Sequence, residues 1–168
     1  MGQILVIFGL LFLLVEPAQA IQTAGSSAVP KNRVIKPDPR VKTLKEFLDS
    51  YRSPLIDYAV LLVETADKYQ IDWRWVPAIA GVESTFGKKI PANSFNAYGW
   101  NNGNYSFRSW EDSIEVVTAT LKTKYVNRGL DTPYKIGPVY APPSPFWPRK
   151  VVYFMNQIEA FAKENETA

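Results

Sequence analysis

Glu83 is the residue whose surroundings suggest chemistry. Val76, Ile79, Ala80 and Glu83 follow one another at i, i+3, i+4 and i+7, the spacing of a single helical face. On that face the carboxyl shares a stripe with apolar side chains, and burial there disfavours its charged form. Gly87 marks a helix end one turn later. The partial negative charge of a helix C-terminus also favours the protonated acid. A carboxyl kept protonated near neutral pH is what a general acid in glycosidic cleavage requires. The bland alternative is a solvent-facing glutamate on a frayed helix end.

The composition narrows the chemistry further. The 168-residue chain has no cysteine and no histidine. Thiolate nucleophiles, Ser-His-Asp triads and sites built from Cys or His ligands are therefore excluded, and acid–base work falls to Asp, Glu, Lys or Tyr. No metal and no cofactor is expected. Nine aromatics, from Trp73 and Trp75 to Tyr105, Phe107 and Trp110, cluster around Glu83 and are interleaved with Asn and Ser. Flat rings with polar tips suit the faces and hydroxyl rims of sugars, although many of them must also build a core. A two-carboxylate glycosidase needs a partner acid. Glu111 and Asp112 follow the cap residue Ser109, and Asp131 precedes Thr132-Pro133. Capping and turn initiation account for all three, which favours a mechanism run on one carboxylate. Lys88 and Lys89 follow the Glu83 turn, as ordinary surface lysines or as attractors of acidic groups.

The segments Ile79-Ala80-Gly81-Val82-Glu83-Ser84-Thr85-Phe86-Gly87 and Asn93-Ser94-Phe95-Asn96-Ala97-Tyr98-Gly99-Trp100 resemble the lysozyme-like superfamily, in particular lytic transglycosylases and bacterial endo-β-N-acetylglucosaminidases. Tyr140-Ala141-Pro142-Pro143-Ser144 with Trp147 is similar to exported bacterial proteins of this type. The likeness spans roughly residues 55 to 160. It implies a mainly α, lysozyme-like domain with a short β-hairpin or irregular loop region after the catalytic helix. It implies Glu83 as catalytic acid/base, Tyr98 as a second catalytic group, and Ser84, Phe86, Asn96, Trp100 and Tyr140 as substrate-binding residues. The implied substrate is peptidoglycan or a related N-acetylhexosamine glycan, cut by hydrolysis or with formation of a 1,6-anhydro end. The Gly-Leu-Met-Gln segment of many transglycosylases is absent, with Ala97-Tyr98-Gly99-Trp100 near its place, so the product stays open. A non-catalytic glycan-binding module on the same fold is the alternative.

Several elements must position these residues. The periodicity predicts a short helix over 41–51, a second beginning at Ser53-Pro54, and a third from Asp72 to about Thr85, with Pro77 as a kink or its true start. Asn101-Asn102-Gly103-Asn104 is placed to turn a hairpin between Tyr98-Gly99-Trp100 and Tyr105-Ser106-Phe107. A fourth helix follows Ser109 and ends at Gly129, a Pro-rich aromatic connection covers 131–147, and a last helix follows Pro148 with Val151, Phe154, Met155, Ile158 and Phe161 inward.

The N-terminus reads as a different region. Residues 4–15 form an apolar run of 12, short of the ~20 needed to span a bilayer. With Ala18-Gln19-Ala20 after it, the run fits a signal peptide over residues 1–20. An uncleaved anchor is the rival, because no Lys or Arg precedes the run. The expected location is thus the periplasm, the cell wall or the exterior. Residues 21–40 read as a linker in which Lys31, Arg33, Lys36 and Arg40 outnumber Asp38, a charge suited to weak attraction to an anionic wall or membrane surface. Residues 41–168 carry 15 basic and 14 acidic residues. That near-neutral domain argues against a nucleic-acid partner and is expected to be a monomer.

Overall fold

A computed structural model describes residues 38–142 and 144–167. The expected signal peptide over 1–20, and the linker up to residue 37, lie outside the described residues. Among the described residues six α-helices run in the order α1 (Pro39–Ser50), α2 (Ala59–Tyr69), α3 (Trp75–Ser84), α4 (Trp110–Thr120), α5 (Pro133–Tyr140) and α6 (Trp147–Thr167). The fold is mainly α, as expected, and among the described residues no strand occurs. Among the described residues no helix is long and apolar enough to cross a membrane.

α3 forms the centre. Trp75 to Gly81 are all buried, so this helix is apolar around its circumference, and the predicted single stripe understates its burial. α6 packs along α3, α1 and α5, while α2 packs on α4. Leu44, Leu48, Leu62, Ile79, Ile114 and Ile158 meet in the common core. Pro77 lies in the first turn of α3, where its missing N–H breaks no helical hydrogen bond.

Ion pairs join the helices at their rims. Arg40 donates to Asp38 and to Asp67 at 2.6 and 2.7 Å, linking α1 to α2. This guanidinium is therefore held within the fold, leaving it poorly placed to contribute to a basic tether. Arg74 at the start of α3 reaches Asp72 at 2.6 Å and Glu159 of α6 at 2.8 Å. Lys68 and Tyr69 of α2 both donate to Glu115 of α4.

Four differences from the sequence reading have local causes. α1 starts at Pro39 because Asp38 caps it, its carboxylate accepting from the Arg40 N–H at 2.9 Å. No hairpin forms over 98–107. Asn101 and Asn102 both adopt left-handed backbone, with φ of 51° and 53°, inside a short 3₁₀ segment, Trp100–Gly103. Two consecutive left-handed residues suit a type I′ turn, but Asn96 instead ties the loop from within. Its side chain donates to the carbonyls of Trp100 and Tyr105 and accepts from the Trp100 N–H, each at 2.9 Å. The Pro-rich connection contains α5, opened by the cap Thr132 and by Pro133 at its first position. Finally, α4 continues beyond Thr120 as a π-helical turn, Leu121–Tyr125, and a 3₁₀ turn, Val126–Arg128, before stopping at Gly129.

Candidate active site

α3 ends one residue after Glu83, in an unusual backbone. Thr85, Phe86 and Gly87 take φ of 52°, 57° and 81°, three left-handed residues in a row. A β-branched Thr is strained there, so surrounding bonds must hold it. The Phe86 N–H donates to the Ala80 carbonyl at 2.9 Å. The Ser84 hydroxyl donates to the carbonyls of Ala80 and Ala97 and accepts from the Gly87 N–H at 2.8 Å. Ser53 donates to the Phe86 carbonyl at 2.8 Å. This reversal folds the Phe86 ring back over α3. The ring lies so close to Gly81 that a Cβ there would sit 2.6 Å from it. Gly87 is thus the third residue of the reversal, and the helix itself stops at Thr85.

The Glu83 carboxyl is partly buried and held on two sides. The Trp147 indole Nε1–H donates to Oε1 at 2.6 Å. Gly99 presents bare backbone to Oε2, and a Cβ at this residue, whose φ is 66°, would lie 2.6 Å from that oxygen. Burial raises the Glu83 pKa above the usual carboxylate range, against the lowering effects of the Trp147 N–H and the Lys150 charge. Tyr140 stacks on Trp147 with centroids 4.8 Å apart and planes at 30°, and its hydroxyl donates to the Tyr98 carbonyl at 2.9 Å. Burial and the nearby Glu83 charge keep that phenol neutral.

Beside this group opens a cleft of about 250 Å³, lined by Tyr98, Gly99, Trp100, Asn101, Asn102, Thr120, Lys124, Tyr125 and Tyr140. Glu83 borders it through Gly99 and through the Tyr140–Trp147 pair. A carboxyl of raised pKa is therefore held beside a concave, aromatic-walled, polar-tipped space, the kind of site that holds a small polar ligand.

The sequence-predicted residues divide into two groups. Trp100, Tyr140 and the enclosed Tyr98 line the cleft, and Glu83 lies beside it against Gly99. Phe86 is fully buried among Phe47, Tyr51 and Phe154. It is a core residue and does not line the cleft. Ser84 and Asn96 are buried, with their polar atoms committed to the backbone bonds described above, so they hold the backbone around the site and do not line the cleft. Tyr98 is 1% exposed. Its hydroxyl is enclosed, lies near Ser113 and lacks a hydrogen bond of good geometry, and burial drives its pKa upward. That enclosure removes it from proton transfer, and its service is packing plus the carbonyl that Tyr140 grips. Lys88 and Lys89 are exposed.

Gly99, Asn101, Asn102, Thr120, Lys124 and Tyr125 line the cleft although the sequence reading gave none of them a site role. Only Gly99 carried a readable sign, a glycine between two aromatics. The carboxylates weighed as partners for Glu83 are engaged elsewhere. Asp112 pairs with Arg108 at 2.5 Å, Asp131 pairs with Lys135 at 2.6 Å, and Ser109 stabilises the exposed Glu111 at the start of α4.

No protein-family model matches the chain, and no curated protein matches it in sequence.

Proposed function

We propose that the protein cleaves β-1,4-glycosidic bonds of peptidoglycan or a related N-acetylhexosamine glycan, with Glu83 as general acid and then general base. The observation that carries this reading is the Glu83 carboxyl itself, raised in pKa by burial, gripped by the Trp147 N–H and set at the edge of an aromatic cleft. Resemblance to lysozyme-like enzymes around Glu83 and Tyr98-Gly99-Trp100 points the same way. Export through residues 1–20 would deliver the protein to such a substrate.

In the proposed reaction Glu83 gives its proton to the bridging oxygen as the C1–O bond breaks. With no second carboxylate assigned, the carbonyl oxygen of the substrate's own N-acetyl group bonds to C1 and holds the developing positive charge. Water then attacks C1, releases the acetamido oxygen and returns a proton to Glu83, giving an ordinary reducing end. If the C6 hydroxyl attacks instead, the same proton returns and a 1,6-anhydro end forms. The engagement of Asp112 and Asp131 elsewhere also fits a second reading, a glycan-binding module without turnover.

Mass analysis of purified peptidoglycan after digestion decides between these readings. Wild type should release fragments, and those one water lighter identify the anhydro route. Glu83→Gln should lower the rate by roughly 10²–10⁴-fold, the usual share of a general acid, while still binding the glycan. A wild-type protein that binds peptidoglycan and never cuts it establishes the second reading.

A further inference from the structure

The π turn in α4 bears directly on the cleft. Thr120, Lys124 and Tyr125 all line it, although they stand four and five positions apart. On a regular α-helix the i and i+4 residues share a face and i+5 turns away from it. The i→i+5 closure of a π turn widens the coil and carries i+4 and i+5 to either side of i. The turn spans Leu121–Tyr125, the stretch where this change is needed, and Leu121 stays buried in the core beneath it. π turns recur at functional sites.

Lys124 is the one charged residue among the described residues that line the cleft. Its side chain is exposed, and no described carboxylate pairs with it. Its neighbour Lys122 lies outside the cleft wall, and Lys135, the nearest lysine along the chain after it, is already paired with Asp131. The cleft that Lys124 lines also carries the aromatic side chains of Trp100, Tyr125 and Tyr140 and the amides of Asn101 and Asn102. This wall offers flat faces for a sugar ring, neutral hydrogen-bonding groups for its hydroxyls, and a single positive charge without a counterion.

We propose that the π turn is a specificity element: it places Lys124 in the cleft to pair with a carboxylate carried by the glycan. This rests on the glycan reading above and adds a preference within it, for carboxylate-bearing over neutral hexosamine chains. The carboxylate has two possible sources, the sugar's own lactyl group or the end of an attached peptide.

The test measures binding separately from cleavage. Full-length Glu83→Gln protein, which leaves the ligand intact, is titrated calorimetrically with three probes: a chitin oligomer, a peptide-free peptidoglycan strand of matched length, and the same strand bearing its peptides. The expected result is tighter binding of one or both carboxylate-bearing strands than of chitin, with the preferred strand naming the source. Adding Lys124→Gln should reduce that preference roughly three- to tenfold, and Lys124→Arg should retain it. Raising the salt concentration should also shrink it, since an exposed charge pair is screened. A Lys124→Gln protein that keeps the full preference, a protein with no preference, or one that binds none of the three probes overturns the proposal. Failure of the wild type to cut any of them bears on the cleavage reading alone, so the two failures are distinguishable.

Discussion

At the scale of single residues, the site depends on one carboxyl and the two groups that hold it. Glu83 has a pKa raised chiefly by burial, so the folded protein holds this proton more tightly than the unfolded chain. The associated stability is fully present below the ordinary glutamate pKa and is lost as pH rises through the raised value. Glu83→Gln removes that loss. Its melting temperature should exceed that of wild type at neutral pH, and the gap should close in thermal scans carried below pH 4. The Trp147 N–H opposes the rise in Glu83 pKa. In Trp147→Phe the basic limb of the pH–rate profile should therefore move to higher pH. This variant also loses core volume at a residue 2% exposed, at a cost of about 1–3 kcal/mol, so its profile is best measured well below its melting point. Gly99→Ala pushes a methyl group into Oε2 at a left-handed backbone position. It should lower kcat/KM by about 10²-fold through displacement of the acid, with a stability loss of about 1 kcal/mol visible in urea titration.

At the scale of elements, the sequence made the helices legible wherever chemistry is local. Ser109 caps α4, accepting from the Asp112 N–H at 3.2 Å, as its residue type indicates, whereas Ser53-Pro54 does not open the second helix: a 3₁₀ turn, Ile56–Tyr58, intervenes and α2 starts at Ala59. Glu83 was legible because its spacing from Val76, Ile79 and Ala80 sets an acid among apolar neighbours. Features decided by distant partners were not legible. The left-handed Thr85 and Phe86 depend on Ser53 and Ala97, which no local propensity reveals. The hairpin expected at Asn101–Asn104 gave way to the internal bonds of Asn96. The π turn leaves no pattern in Leu-Lys-Thr-Lys-Tyr, since its register follows from the packing of Leu121. Tyr98 and Phe86 show the limit of motif reading, because a ring within a recognisable segment can serve the core. The join between α3 and α6 gives a further prediction. Burial alone would raise the Asp72 carboxyl, but the Arg74 guanidinium and N–H outweigh it and hold it below the usual range. Arg74→Met leaves this acid half-buried without its partner. It should cost about 1–3 kcal/mol at pH 7. The penalty should fall as Asp72 becomes protonated, so denaturant curves at pH 7 and pH 3 will separate the ionic loss from lost packing.

At the scale of the whole molecule, the last helix packs along both α1 and α3, and the acid belongs to none of the elements that complete its site. Its indole donor lies 64 positions further along the chain, on the first residue of the last helix. Contacts of that span form late, after the entropy of closing a long loop has been overcome. In refolding from urea, helical signal should therefore recover before glycan cleavage, and cleavage should return together with the change in tryptophan fluorescence that marks docking of α6. Equal recovery times for all three signals would contradict this. The same contact has a consequence during synthesis. A ribosome releases Glu83 well before Trp147, so a nascent chain, or one truncated ahead of α6, carries the acid without the partner that positions it. Under the proposed function, the bond between Trp147 and Glu83 would act as a completeness check, joining the onset of cleavage to arrival of the final helix.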